Sequence, residues 1–369
     1  MVLALLPYDI FDEILALCNL QELKALTFVS RTIQSAADRH FWRSVHIDST
    51  FQREGYMALF SRRASEAHKI TIEEYCNEKE HEEISNSLLA VMHGIRQNSQ
   101  ITDLNLILYG HDDRCQFHEL FRSMATSYFS FVLRNLAVEL GPRFRIDGGT
   151  LASVVRAHPQ ITSLEVPVME ITMPFSFNAP QLPDLVSLSI YSPAALFFAT
   201  RAPIARLSIA SCTSRDMESL GLHAALDGVG NNLTSLKIVF DIRPYDETIM
   251  AALLYCINIR MPRLEIINLR FTSMCRLRIS QVVQLETTFS EAVASGSLTG
   301  LRELHLTGFD IGGRHHDFVR RSFQIWPSTL TGVWAETITG SGRRSVVLIS
   351  RSEAERLGYI AQAQTTIVE

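Results

Sequence analysis

Residues 301–306 read Leu301-Arg302-Glu303-Leu304-His305-Leu306: an apolar residue, two others, an apolar residue, one other, and a third apolar residue. The closing alternation is the period of a strand with one face buried. The same spacing returns at Ile101-Leu104-Leu106, Leu133-Leu136-Val138, Ile161-Leu164-Val166, Leu185-Leu188-Ile190, Ile204-Leu207-Ile209, Leu233-Leu236-Ile238 and Leu264-Ile267-Leu269, and in degenerate form at Leu330-Val333-Ala335. The intervals between starts run from 19 residues (204 − 185) to 37 residues (301 − 264). A constant short motif with variable spacing predicts a fixed strand and a variable return. Val45-His46-Ile47 and Ile70-Thr71-Ile72 read as two earlier strands, and Val346-Val347-Leu348-Ile349 as a later one. Gly148-Gly149, Gly312-Gly313 and Gly340-Ser341-Gly342-Arg343-Arg344 read as turns.

Between the strands the apolar spacing is helical over 82–96, 117–131, 150–157, 194–201, 216–226, 247–258, 281–294 and 315–325. Strand followed by helix at this period resembles the leucine-rich repeat, in an irregular form without the Asn ladder of its regular classes. The resemblance implies an α/β solenoid: parallel strands stacked on a concave face, alternate apolar residues inward, helices on the convex face.

Residues between the inward positions then face out. Down the middle of the motif they are Asn105, Ala137, Glu165, Ser189, Ser208, Lys237, Asn268, His305 and Trp334, flanked by Asn135, Glu139, Tyr191, Arg206, Arg270 and Glu303. The mixture of signs suits a protein partner better than a nucleic-acid backbone. Glu165, Tyr191, Lys237, Asn268, Arg270, His305 and Trp334 are the candidate substrate-binding residues, with Tyr191, Arg270 and Trp334 foremost because aromatic and Arg side chains dominate interface energies.

The first forty residues follow another pattern. Pro7, Asp9, Asp12 and Glu13 mark a helix start, with Ile10, Ile14, Leu15 and Leu17 as its apolar face. Asn19 and Glu22 form a capping box for a second helix carrying Leu23, Leu26 and Val29. Ser30 opens a third through Ile33, Ala36 and Ala37 to Phe41-Trp42. So small a unit cannot hide all this apolar surface internally.

The run Leu6-Pro7-Tyr8-Asp9-Ile10, Ile14-Leu15, Glu22-Leu23, Leu26, Val29-Ser30-Arg31 and Trp42 resembles an F-box, departing from its usual pattern at Cys18 and Ile33, which remain apolar. The resemblance implies a three-helix F-box over 1–48 followed by the array over 49–369. It implies docking to a Skp-type adaptor, and through it to a cullin-RING ubiquitin ligase. Leu6, Pro7, Ile10, Ile14, Leu23, Leu26, Val29 and Ser30 match the family positions that build or face the adaptor interface. The combination resembles F-box and leucine-rich-repeat proteins, whose arrays receive the substrate to be ubiquitylated. The alternative is a repeat scaffold that joins no ligase.

Composition narrows the remaining classes. The chain has 369 residues, 47% of them hydrophobic and 20% charged, with 34 Lys plus Arg against 39 Asp plus Glu and a net charge of −5. That balance disfavours a broad phosphate-binding surface. The six cysteines include no Cys-x-x-Cys pair and read as reduced thiols. The apolar start, Met1 to Leu6, lacks a basic flank and is broken by Pro7, so it does not read as a signal peptide. No apolar run reaches membrane-spanning length. The expectation is a cytoplasmic or nuclear protein with no membrane or nucleic-acid partner.

His111, Asp112, Asp113, Cys115 and His118 cluster but lack the second ligand pair that a structural zinc site needs, and His315-His316 opens a helix. Nucleotide, zinc-protease and hydrolase motifs are missing, so the expectation is a non-catalytic adaptor without cofactor or metal.

Overall fold

The computed structural model describes residues 7–48, 63, 66–76, 100–110, 121–122, 124–126, 132–141, 145–166, 170–172, 182–192, 202–213, 226, 229–241, 261–276, 279–310, 315–325, 329–338 and 344–358. The chain divides into two units, Met1–Pro174 and Phe175–Glu369. The expected helices over 82–96, 194–201 and 247–258 lie outside the described residues, as do all of 216–226 but Leu226 and two thirds of 117–131, where 121, 122, 124 and 125 are helical.

The first unit begins with α1 (Tyr8–Leu17), α2 (Leu20–Leu26) and α3 (Arg31–Arg43). Their starts follow from side-chain chemistry. The Glu22 N–H donates to Asn19 Oδ1 at 3.0 Å and the Asn19 N–H donates to Glu22 Oε2 at 2.8 Å, so two orphan donors at the start of α2 are satisfied reciprocally. The Ser30 hydroxyl accepts from the Ile33 N–H at 3.3 Å at the start of α3. Phe11, Leu15, Leu23, Ile33, Ala36 and Ala37 form the buried core of the three helices, with Cys18, Leu26 and Phe41 against it.

The inward face of α1 differs from the sequence expectation. Phe11 and Leu15, with Cys18 just beyond the helix, occupy positions i, i+4 and i+7 and point inward, whereas Ile10 and Leu17 are exposed and Ile14 is half-buried. The helix carries two apolar stripes, and periodicity alone does not say which one packs.

Five strands of one sheet follow, β1 (Ser44–Ile47), β2 (Lys69–Cys76), β3 (Asp103–Gly110), β4 (Asn135–Leu140) and β6 (Ser163–Val166), with a short β5 (Arg145–Asp147) and the helix α4 (Gly148–Ala157) between the last two. β1, β2, β3, β4 and β6 pair in parallel in chain order. β5 pairs in parallel with β7 (Glu170–Thr172) as a separate two-stranded sheet, which the motif spacing does not anticipate. Gly148-Gly149 is the first turn of α4 rather than a loop, with the Ser153 hydroxyl donating to the Gly149 carbonyl at 2.8 Å.

The second unit repeats the scheme with β8 (Ser187–Ile190), β9 (Arg206–Cys212), β10 (Ser235–Phe240), β11 (Ile266–Arg276), α5 (Ile279–Ala294), β12 (Glu303–Asp310), α6 (His315–Ile325), β13 (Gly332–Ile338), β14 (Arg344–Ser350) and α7 (Arg351–Arg356). β8 through β13 are parallel neighbours in chain order, and β14 returns antiparallel to β13. The connection between β13 and β14 is too short for a parallel crossover, so the last strand must reverse. Helix α6 packs against α5, β13 and α7.

The six-residue motif has a clear physical meaning. None of its described apolar positions is more than 4% exposed. The first position plugs the interior just before the strand, and the two N–H groups that follow it share one carbonyl of the preceding strand's entry. Thr102 and Asp103 donate to His68 O, Arg134 and Asn135 to Thr102 O, and Thr162 and Ser163 to Arg134 O. In the second unit Thr234 and Ser235 donate to Ala205 O, Glu265 and Ile266 to Thr234 O, and Arg302 and Glu303 to Glu265 O. Each strand entry is thereby pinned to the one before, which keeps buried backbone donors paired and holds the register constant.

Candidate functional site

Two surfaces carry the candidate residues. The first is the outward side of the three-helix module. Pro7 and Ser30 are exposed, Ile10 is 45% exposed and Val29 61%, while Ile14 and Leu26 are half-buried. Leu23 is 5% exposed and belongs to the module's core, so it builds the module rather than facing solvent. Leu6 lies outside the described residues.

Two side chains outside the expected adaptor-facing set are the most exposed large apolar groups of the described residues: Leu17, which the spacing had placed on the packed face of α1, at 88% and Phe28 at 83%. Phe28 follows the end of α2, where the Phe28 N–H donates to Ala25 O and the Val29 N–H to Leu26 O, a turn that leaves both side chains outside. The signal in the sequence was an apolar pair, Phe28-Val29, in a stretch with no further helical apolar position to cover it. Between α1 and α3 His40 Nε2 lies 2.7 Å from Asp12 Oδ1, and this hydrogen bond holds the Asp12 carboxyl below its ordinary range. Burial raises the Cys18 thiol above its own, so this residue acts as a small apolar group.

The second surface is the outward face of the strands. In the first unit Thr71, Asn105, Ala137 and Glu165 stand side by side on β2, β3, β4 and β6. A cleft of about 220 Å³ opens here, lined among others by Lys69, Asp103, Asn105, Asn135, Ser163 and Glu165. The face is acidic: Glu73 pairs with His46 at 3.0 Å, Tyr109 donates to Glu139 at 2.7 Å, Asn135 and Thr102 both donate to Asp103, and Glu165 is exposed.

In the second unit Ser189, Ser208, Lys237, Asn268, His305 and Trp334 form one lateral row across β8 to β13. Four of the candidates, Lys237, Asn268, His305 and Trp334, are therefore immediate neighbours in register. Arg270 is exposed two residues beyond Asn268 on the same face, opposite Val239 and Thr307. Tyr191 is half-buried just past β8, and its carbonyl accepts from the Ser211 N–H at 2.7 Å. Glu165 is exposed on β6 of the first unit.

At the far end of the row the His305 imidazole is stacked on the Trp334 indole, and His305 Nε2 is 3.0 Å from Glu303 Oε2. The indole folds back over Gly332, where an added Cβ would come 2.9 Å from the ring. A polar edge and a flat apolar plate lie together, an arrangement suited to holding a peptide side chain.

The His111–His118 cluster and the His315 and His316 side chains fall outside what is described; among the described residues no group of three His, Cys, Asp or Glu is placed to hold a metal. No helix among them is long and apolar enough to cross a membrane.

Residues 3–44 match the F-box domain family. The match covers the three described helices and ends at the first residue of β1. Comparison with curated proteins finds no significant relative. The N-terminal module is thus an F-box domain, whose members generally bind Skp-type adaptors, and this points to a substrate-recognition role of the ligase-adaptor kind.

Proposed function

We propose that the chain is the substrate-recognition subunit of a Skp–cullin–F-box type ubiquitin ligase, with residues 1–48 as the adaptor-docking module and 49–369 as an irregular leucine-rich-repeat-like array that receives a protein substrate. The observation that carries this reading is the F-box match over residues 3–44 on a module that leaves Ile10, Leu17, Phe28 and Val29 exposed. Apolar side chains that a small core cannot cover are the material of an obligate interface. Pro7, Ile14, Leu26 and Ser30 border the same surface in this reading, and Leu23 supports it from beneath.

The array reading is supported by parallel strands stacked in chain order, by the recurring buried motif and by the shared-carbonyl link between successive strand entries. The substrate is received on the outward face, where the row from Lys237 to Trp334, Arg270, Tyr191 and, on the first unit, Glu165 supply polar and aromatic contacts. The chain is a non-catalytic adaptor. It acts by raising the effective concentration of substrate lysines near a charged conjugating enzyme held by other subunits.

The test is co-expression of the full chain with a Skp-type adaptor. The expected result is a stoichiometric complex and a marked gain in soluble yield. A monodisperse full chain with no measurable adaptor affinity defeats the ligase reading and leaves a repeat scaffold.

A further inference from the structure

Three cations step diagonally across the second unit: Arg206 on β9, Lys237 on β10 and Arg270 on β11. Arg206 stands opposite Ser235, two residues before Lys237, and Lys237 stands opposite Asn268, two residues before Arg270. With strands about 4.8 Å apart and a rise of about 3.3 Å per residue, each step is roughly 8 Å and the whole diagonal roughly 16 Å.

All three side chains are exposed, and among the described residues none of them forms an ion pair. Among the described residues the outward positions of β8 to β11 hold no carboxylate; around the cations stand hydroxyl and amide groups such as Ser189, Ser208 and Asn268. Two carboxylates border this face: Asp241, just past β10, accepts from the Thr272 hydroxyl at 3.0 Å, and Glu303 on β12 lies 3.0 Å from His305.

The charge is specific to this surface. The chain as a whole carries −5, and the outward strand face of the first unit is acidic. Resting on the ligase-subunit reading, we propose that the outward face of β8–β11 receives an extended, Asp- and Glu-rich segment of the substrate. The spacing selects the occupant. Acidic side chains at every second residue of an extended chain recur at about 6.6–6.8 Å, close to each step of the diagonal. A lone phosphate engages one step of it at most, because charge-assisted hydrogen bonds reach only about 2.7–2.9 Å. The serines and Asn268 supply neutral donors between the charges. The uncompensated cations steer an acidic chain in and repel basic ones.

The test uses the full chain purified with its Skp-type adaptor and three fluorescent synthetic peptides: one with Glu at alternate positions, the same peptide with Gln, and a neutral peptide bearing one phosphoserine. The Glu peptide is expected to bind and the other two to bind at least about tenfold more weakly, with the Glu affinity falling as ionic strength rises. The triple variant Arg206→Glu, Lys237→Glu, Arg270→Glu is expected to lose this binding while keeping its melting temperature and its adaptor. The double variant Arg206→Lys, Arg270→Lys is expected to retain most of it. Equal affinity for Glu and Gln peptides, a preference for the phosphoserine peptide, or an unaffected Glu triple variant overturns the proposal. A complex that holds its adaptor but not the Glu peptide sinks this inference alone. A chain that fails to hold the adaptor sinks the ligase reading, and the peptide comparison still decides the surface.

Discussion

His305 and Trp334 lie face to face on neighbouring strands, ring centroids 3.9 Å apart and planes 10° from parallel. Glu303 fixes the imidazole from behind, and the absence of a Cβ at Gly332 lets the indole lie flat. A double-mutant cycle on His305→Ala and Trp334→Ala, read by urea denaturation, should give a coupling of about 0.5–1.5 kcal/mol. Strict additivity would mean that the two rings are adjacent but do not support each other.

Leu269 and Arg270 are consecutive and face opposite sides of β11: Leu269 is 1% exposed and Arg270 is exposed. Leu269→Ala should cost about 2–5 kcal/mol through lost transfer energy and a cavity. Arg270→Ala should stay within about 0.5 kcal/mol of the parent, as surface substitutions do. Comparable losses for the two in thermal denaturation would show the strand facing to be shifted by one residue.

Within the F-box, Leu17→Asp and Phe28→Asp should leave helicity intact and weaken adaptor binding by at least about tenfold, equivalent to about 1.4 kcal/mol. Leu15→Ala, at a position only 1% exposed, should instead unfold the module at lower temperature. Isothermal titration with the adaptor, paired with circular dichroism, separates the two kinds of loss. Undiminished affinity in both Asp variants would remove Leu17 and Phe28 from the interface.

Gly308 and Gly296 have similar positive φ angles, +81° and +83°, in different surroundings. A Cβ on Gly308 would collide with the Phe271 carbonyl oxygen, whereas one on Gly296, just past the end of α5, meets nothing within 4 Å. Gly296→Ala should cost about 1–2 kcal/mol, the left-handed penalty alone. Gly308→Ala adds a backbone collision at the β11–β12 junction, and its melting temperature should fall well below that of Gly296→Ala. Equal losses would show that the strands part without strain.

His158 is 3% exposed, and burial lowers its imidazole below its ordinary value of 6.5. The native state therefore disfavours the protonated form relative to the unfolded chain. As pH falls below about 6.5 the unfolded state takes up the proton first, so stability declines until the lowered native value is reached and levels off beneath it. Denaturation curves from pH 7.5 to 5 should show this slope, and His158→Phe should flatten it. An unchanged slope in the variant would place the pH dependence elsewhere.

The strands were legible because their alternation is local: each instance from Ile101 to Val333 marks a described strand. The purpose of the first motif position was not legible, because Leu301 or Ile161 becomes a plug only when the next N–H pair meets a carbonyl some thirty residues earlier. The orientation of α1 was hidden for a similar reason. Its two apolar stripes are equivalent until Ile33 and Ala36 of α3 choose Phe11 and Leu15. The short pair β5 and β7 carries only Ile146 and Ile171 as central apolar residues, too little alternation to read. Among the candidate site residues, the row from Lys237 to Trp334 followed from alternation alone. Leu17 and Phe28 needed the core first, since an apolar side chain is informative as a surface feature only once it is known to be left over.

The reversal of β14 changes what the sheet presents beside β13. β14 runs opposite to β13, and past it the Arg351 N–H returns to Thr331 O while the Arg351 guanidinium reaches Leu330 O. The edge on which a further parallel strand would pair is thus already taken by a strand of opposite direction, and the series that the motif builds one strand at a time is closed at β13.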